Sequence, residues 1–168
     1  MRLRGRRALV TGAGGFIGSH LTERLVELGV NTRALVHYNA QGRWGWLDSS
    51  PYKDDIEMVP GDVCDRDSLI RSVKDVDVVF HLAALIAIPY SYDSPASYIR
   101  TNVEGTLNLL QAARGSNITK IVHTSTSEVY GTAQNVPISE DHQLRGQSPY
   151  AASTVSYTHL TLPTNREV

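Results

Sequence analysis

Short apolar runs alternate with amphipathic stretches along the chain, the pattern of a parallel β-sheet covered by helices. Residues 7–11 (RALVT) predict a buried strand. Residues 15–29 predict a helix in which Ile17, Leu21, Leu25 and Leu28 recur at three- and four-residue intervals until Gly29 ends it. Residues 32–37 (TRALVH), 56–59 (IEMV), 76–81 (VDVVFH) and 119–125 (TKIVHTS) predict four more strands. The 76–81 run is almost wholly apolar, as a strand covered on both faces should be. Further helices are predicted from about Arg66 to Val73 and over 97–114, the second with Leu107, Leu110 and Ala113 on one face. Residues 89–95, rich in Pro, Tyr and Ser, read as a loop. Together these elements predict an α/β fold, a doubly wound parallel sheet in strand order 3-2-1-4-5.

Between the first strand and the first helix lies Gly12-Ala13-Gly14-Gly15-Phe16-Ile17-Gly18, which contains GxxGxxG. Glycines at this junction allow the tight turn, let the backbone approach a pyrophosphate and let helix and strand pack closely, while the helix N-terminus offers unpaired N–H groups. The motif alone is weak; its place in the first βαβ unit of a Rossmann-like sheet gives it weight. Gly12, Gly15, Phe16, Ile17 and Gly18 are therefore read as cofactor-binding. The usual partner of this turn is an acidic residue ending strand two, bonded to the ribose hydroxyls of NAD. Here the chain has His37-Tyr38-Asn39. Asn39 is the candidate at that position, and NAD against NADP stays open. Arg43 suits either a 2′-phosphate or an ordinary loop position beside Trp44 and Trp46. Asp62 and Val63 follow strand three, where an adenine edge would lie. Leu82, Ala83 and Ala84 follow strand four, where small residues let a cofactor pass close to the backbone.

Composition narrows the setting. The 168 residues are 41% hydrophobic and 20% charged with net charge -1, which excludes a disordered chain. Sixteen Lys+Arg against seventeen Asp+Glu leave no overall basic field, so neither nucleic acid nor an anionic membrane is expected as a partner. The local patch of Arg2, Arg4, Arg6 and Arg7 reads as a solvated lead into the first strand, because only Ala8, Leu9 and Val10 follow before Thr11. That apolar run is too short for a signal peptide or a membrane span, and a cytoplasmic location is expected. A single cysteine, Cys64, excludes an internal disulfide framework and a cysteine-based zinc site. His20, His81 and His123 show no second ligand at a metal-binding spacing and read as core or surface residues, with no metal expected.

The pieces TGAGGFIGSHL (11–21), GDVCD (61–65), HLAA (81–84), TNVEGT (101–106), TSTSEVYG (124–131) and SPYAAS (148–153) resemble, in order, the extended short-chain dehydrogenase/reductases, the NAD-dependent epimerase/dehydratase family. Within it, TSTSEVYG and HLAALIAIPYSYDSPASY look most like a nucleotide-sugar 4,6-dehydratase of the kind serving surface-polysaccharide and nonulosonic-acid biosynthesis. WGWLD (44–48) looks like the GDP-N-acetylglucosamine 4,6-dehydratase branch associated with legionaminic acid. The resemblance implies an NAD(P)-dependent lyase acting on a nucleotide sugar, a homodimer at full length, and catalytic Thr126, Glu128 and Tyr150. Tyr150 matches the tyrosine of YxxxK and also adjoins the cofactor. Thr126 matches the hydroxyl residue beside it, and Glu128 the glutamate that removes the C5 proton. Ser127 stands where the dTDP-glucose type has an aspartate, so Glu128 is expected to serve as base and then as acid. Asn102 resembles the family asparagine that supports the site through a backbone bond. A UDP-glucuronate decarboxylase and a 4-epimerase are the neighbouring readings, with Glu128 counting against the epimerase. A non-catalytic dinucleotide-binding regulator is the reading from another class.

The family lysine four residues after Tyr150 is replaced by Thr154, and beyond it the resemblance stops. VSYTHLTLPT reads instead as a translated transposon-based sequencing adapter, with Thr154 a chimeric codon over a native lysine. Residues 1–153 are accordingly expected to be an incomplete NAD(P)-binding Rossmann domain. Residues 154–168 are expected to be a non-native tail, with the C-terminal substrate domain absent and the chain as written inactive.

Overall fold

A computed structural model describes residues 3–158 and 160. Five strands, β1 (Arg7–Thr11), β2 (Asn31–His37), β3 (Ile56–Gly61), β4 (Val78–His81) and β5 (Lys120–His123), form one wholly parallel sheet in the order β3-β2-β1-β4-β5. This is the predicted topology. The register pairs Thr11 with His81, His81 with His123, and His37 with Gly61, so the C-terminal ends of neighbouring strands finish along one edge.

The alternation of side chains along each strand splits the apolar residues into two cores. Ala8, Val10, Ala34 and Val36 face α1 (Phe16–Glu27), joined there by Leu25, Val30 and Leu47. Leu9, Leu35 and Val79 face the other way, against Leu69 of α2 (Arg66–Ser72) and Leu109 and Ala112 of α5 (Gly105–Arg114). A sheet with helices on both faces needs strands that are apolar on both, which is why β1 and β2 are buried almost throughout.

The helices correct three expectations. In α1 the buried residues are Gly18, Ser19, Thr22 and Leu25, while Ile17 and Leu28 are 64% and 45% exposed. The inner face is made of small residues because the helix lies hard against the glycine turn: a Cβ on Gly18 would collide with the Gly12 carbonyl oxygen. Ser19 and Thr22 hide their hydroxyls by donating to the carbonyls of Phe16 and Gly18. The segment 89–95 is no loop. It contains α3 (Ile88–Asp93) and the start of α4 (Pro95–Tyr98), its prolines lying in first helical turns, where the missing N–H costs nothing. From α4 the chain continues through a π-helical stretch, Ile99–Glu104, into α5. There the buried face is Asn102, Gly105, Thr106, Leu109 and Ala112, one position away from the predicted Leu107, Leu110 and Ala113. Polar and small residues that a hydrophobic pattern does not count define the packed side. Leu109→Ala should therefore cost about 2–5 kcal/mol and Leu107→Ala less than about 1 kcal/mol, read from urea unfolding.

The last helix, α6 (Pro149–Thr158), runs through position 154. Thr154 is 1% exposed and its hydroxyl donates to the Tyr150 carbonyl at 3.1 Å. Of the predicted tail, 159 and 161–168 lie outside the described residues.

Candidate functional site

The strand ends open into one cleft of about 1060 Å³, at the top of the range of about 300–1,000 Å³ usual for small-molecule sites. Such crevices at the carboxyl ends of parallel strands are where these sheets bind ligands. Gly12, Gly15, Phe16, Ile17, Gly18, Asn39, Asp62, Val63, Leu82, Ala83, Ala84, Thr126, Glu128 and Tyr150, all singled out in the sequence, line it together.

The glycine turn is shaped by close backbone contacts. Gly12 has φ +69°, and a Cβ there would lie 2.8 Å from the backbone nitrogen of Ala83. Gly15 ends the turn as the N-cap of α1 without a side-chain cap, so the first-turn N–H groups of a 12-residue helix are left for a ligand at the cleft. Gly14, which the motif reading passed over, meets the loop after β2: a Cβ on Gly14 would lie 2.9 Å from the Trp44 carbonyl oxygen, and one on Gly45 would collide with the Gly14 carbonyl oxygen. The Trp46 N–H donates to that same Gly14 oxygen at 3.0 Å, Leu47 is fully buried, and the Asp48 carboxylate accepts the Trp44 N–H at 3.1 Å. The WGWLD stretch thus clips the β2 exit loop onto the glycine turn.

Behind the cleft runs a buried hydrogen-bond chain in which sequence reading assigned Asn102 a supporting backbone bond but did not link Thr11, His81 and Thr106 to it. The N–H groups of Leu82 and Ala83 both donate to Thr11 Oγ1 at 3.2 Å, and the Thr11 hydroxyl donates to His81 Nδ1 at 2.7 Å. His81 Nε2 donates at 3.1 Å to Thr106 Oγ1, which donates to the Asn102 carbonyl at 2.6 Å. With both acceptors committed, His81 is held as the neutral Nε2–H tautomer. Burial pushes its pKa down to about 3, assisted by the adjoining His123, whose own burial lowers it to about 4. The two rings meet edge to face at 4.8 Å. Asn102, at the foot of this chain, accepts the Leu85 N–H at 2.8 Å and donates to the Leu85 carbonyl and to Ser153 Oγ, both at 3.0 Å. Ser153 in turn donates to the Tyr150 carbonyl at 2.7 Å. The loop after β4 and the helix carrying Tyr150 are thereby held in one network. Its sequence signals were a histidine closing an apolar strand and, within TNVEGT, the resemblance of Asn102 to an asparagine that makes a backbone bond.

Past β5, Ser127–Tyr130 form a 3₁₀ turn in which Thr126 Oγ1 accepts the Glu128 N–H at 3.3 Å. This leaves the Thr126 hydroxyl hydrogen to donate elsewhere. Glu128 is exposed at the cleft, and Tyr150 reaches it from the first turn of α6, its ring edge-to-face with Tyr98 at 6.2 Å.

A doubly wound sheet, a glycine turn at a helix N-terminus and a hydroxyl, carboxyl and phenol grouped across one cleft define the nucleotide-dependent α/β enzymes. The family model of the GDP-mannose 4,6-dehydratases matches residues 9–167, and the chain belongs to that family, within the extended short-chain dehydrogenase/reductases. A UDP-glucose 4-epimerase of Mycolicibacterium smegmatis is 42% identical over 153 residues, covering 89% of this chain and 48% of its own. A dTDP-glucose 4,6-dehydratase of Streptomyces antibioticus is 35% identical over 162 residues, covering 94% and 48%. Among solved structures, a UDP-N-acetylglucosamine 4-epimerase of Methanobrevibacter ruminantium in complex with UDP-N-acetylmuramic acid superposes with TM-score 0.82 at 32% identity, covering 94% of this chain and 50% of that one. A UDP-glucose 4-epimerase of Brucella ovis in complex with NAD gives 0.79 at 28%, covering 93% and 46%. The chain spans about half the length of the curated relatives it matches.

Proposed function

We propose that this chain is the dinucleotide-binding half of a nucleotide-sugar 4,6-dehydratase, of the GDP-N-acetylglucosamine type, with NAD in the cleft. The observation that carries the reading is the presence of Thr126, Glu128 and Tyr150 in the same cleft as the glycine turn. The fit to a dinucleotide rests on the tight turn at the cleft, where a Cβ on Gly12 would strike Ala83 and one on Gly18 the Gly12 carbonyl, and on the uncapped start of α1. A nicotinamide dinucleotide held along the glycine turn and the Leu82–Ala84 strand end would supply a hydride acceptor for sugar C4 and a hydride donor for C6. Tyr150 takes the proton of the 4-hydroxyl, and Thr126 donates a hydrogen bond to the same oxygen. The carbonyl so formed at C4 acidifies the C5 proton, which the Glu128 carboxylate removes. Ser127 carries no acid, so the same Glu128, now protonated, gives its proton to the departing 6-hydroxyl and one water leaves; as hydride adds to C6 of the resulting 5,6-alkene, C5 takes back one proton, which balances the proton that Tyr150 removed from the 4-hydroxyl.

Tyr150 and Thr126 alone would suffice for a 4-epimerase, the activity of the 42%-identical relative. Glu128 separates the two. In a version continued by the source gene beyond codon 153, incubated with NAD and GDP- or UDP-sugars, mass spectrometry should find a product lighter by one water. Glu128→Gln should cut its rate at least about 100-fold. A pentose or a C4 epimer as the product would overturn the dehydratase reading.

NAD binding has its own check. Gly15 has φ -79° and a Cβ there would approach only the Gly12 carbonyl oxygen, at 3.3 Å, a tight contact that this oxygen must relieve by a small shift. Gly15→Ala should lower the melting temperature by no more than several degrees, yet weaken NAD+ by about tenfold or more in calorimetric titration, because the methyl group crowds the pyrophosphate approach. Unchanged affinity would count against the glycine turn as the binding element.

A further inference from the structure

We propose that Tyr98 is the positioning residue for Tyr150: its buried ring sets the orientation of the phenol, and its hydroxyl ties that setting to the wall of the cleft. The inference rests on the role given to Tyr150 above and assigns the residue through which that role is held.

The main chain of Tyr150 is fixed from within α6, where the Ser153 and Thr154 hydroxyls donate to its carbonyl at 2.7 and 3.1 Å. Neither bond reaches the ring, which turns about two torsions of its own. Among the described residues the Tyr150 hydroxyl forms no hydrogen bond, so packing has to choose the direction in which the phenol points. The aromatic ring packed on it is that of Tyr98, with centroids 6.2 Å apart and planes inclined at 69°. Such an edge-to-face arrangement is one that aromatic pairs prefer at this separation.

Tyr98 is the fixed member of the pair. Its side chain is fully buried, and its hydroxyl donates to the Ala87 carbonyl at 2.5 Å. Ala87 is the N-cap of α3, and the same carbonyl accepts the Ser91 N–H at 3.1 Å, closing the first turn of that helix. Leu85, Ile86 and Ile88, which flank Ala87, line the cleft. The Tyr90 ring, also on α3, is a second aromatic neighbour of Tyr98 at 6.3 Å. One helical turn beyond Tyr98, the equally buried Asn102 holds Leu85 and Ser153 by hydrogen bonds. The two residues thus join the same two elements, the cleft wall after β4 and the helix α6, at two points. Asn102 reaches α6 through the Ser153 hydroxyl, whereas Tyr98 packs on the phenol itself.

Substitution separates the ring from the hydroxyl. Tyr98→Phe keeps the ring edge and removes the bond to Ala87, while Tyr98→Met leaves a flexible apolar chain with no ring. The version continued by the source gene beyond codon 153 is assayed for whichever sugar product it forms, since removal of the 4-hydroxyl proton precedes dehydration and epimerisation alike. In Tyr98→Met, kcat should fall about 10- to 100-fold while KM for the sugar nucleotide stays within about threefold, because a misdirected phenol affects reaction more than binding. Tyr98→Phe should recover kcat to within about threefold of the wild type. In the 168-residue chain, NMR should find nuclear Overhauser contacts between the two rings, in the wild type and in Tyr98→Phe, a result that does not depend on Tyr98→Met folding. Absence of those contacts, wild-type kcat in Tyr98→Met, or a loss there that lies in KM alone would overturn this inference and leave the dehydratase reading standing. A C4 epimer as the product, with the kcat pattern intact, would overturn the dehydratase reading and leave Tyr98 its role. Wild-type kcat in Tyr150→Phe would overturn both.

Discussion

Lowering the pH from 7 to 4.5 should remove about 3 kcal/mol of folding stability through His81 alone, a large share of the roughly 5–15 kcal/mol typical of a domain. His81 is wholly buried and its folded pKa falls to about 3, against 6.5 in the unfolded chain. Between those values the unfolded state binds a proton that the native state does not, so stability rises with pH across the window. The contribution is complete above about 6.5 and is lost as the pH drops toward the folded value. His123, lowered to about 4, adds in the same direction. Asp77 and Glu27, whose carboxyls are held low by hydrogen bonds, contribute stability that stays intact above their ordinary values of 3.8 and 4.5 and is lost only below them. The interval from 6.5 to 4.5 therefore belongs to the histidines. Urea midpoints taken across it should fall steadily, and the His81 ring should stay neutral by NMR to the edge of unfolding. A flat midpoint, or a His81 titration near 6.5 in the folded protein, would contradict the buried network.

That network also marks how far the sequence alone could be read. Strand positions and order followed from apolar runs, since a strand buried on both faces leaves a continuous signal of four to seven residues. Gly12, Gly15 and Gly18 announced the cradle because a local turn needs them within seven residues of one another. The partner of His81, by contrast, is Thr11, 70 positions away. No local pattern encodes such a bond, and the histidine looked like any core residue. The faces of α1 and α5 were misplaced for a related reason. Close packing on the sheet selects Gly18, Ser19, Gly105 and Thr106 for size, and hydroxyls that bond back to their own helix are buried at little cost, so the most apolar stripe is not the innermost one. The helix at Ile88–Asp93 was hidden by prolines that start helical segments instead of breaking them. The clip between Gly14 and Gly45 joins two loops, and only the assembled sheet brings them together.

On the proposed function, the chain as written should show no 4,6-dehydratase turnover, and Thr154→Lys should not by itself create any. Position 154 lies one helical turn beyond Tyr150, on the same side of α6, with its hydroxyl bonded to the Tyr150 carbonyl. A lysine there would bring a cation toward the tyrosine and favour its phenolate, which a neutral threonine does not do. That restores one electrostatic contribution only. The 168 residues cover about half the length of the matched relatives, and positioning a sugar so that C4 meets the nicotinamide and the Tyr150 oxygen together supplies a large part of the rate in such reactions, about 7–11 kcal/mol in favourable cases. Three forms separate the contributions: this chain, this chain with Thr154→Lys, and the version continued by the source gene beyond codon 153. Turnover in either short form would refute the assignment of the sugar pocket to residues beyond this chain. Turnover in the long form that falls at least about 100-fold on exchanging lysine for threonine at 154 would support both the role of the cation and the reading of Thr154 as a junction. A source gene that itself encodes threonine at codon 154, followed by the same tail, would refute the junction and favour a dinucleotide-binding protein without the dehydratase chemistry.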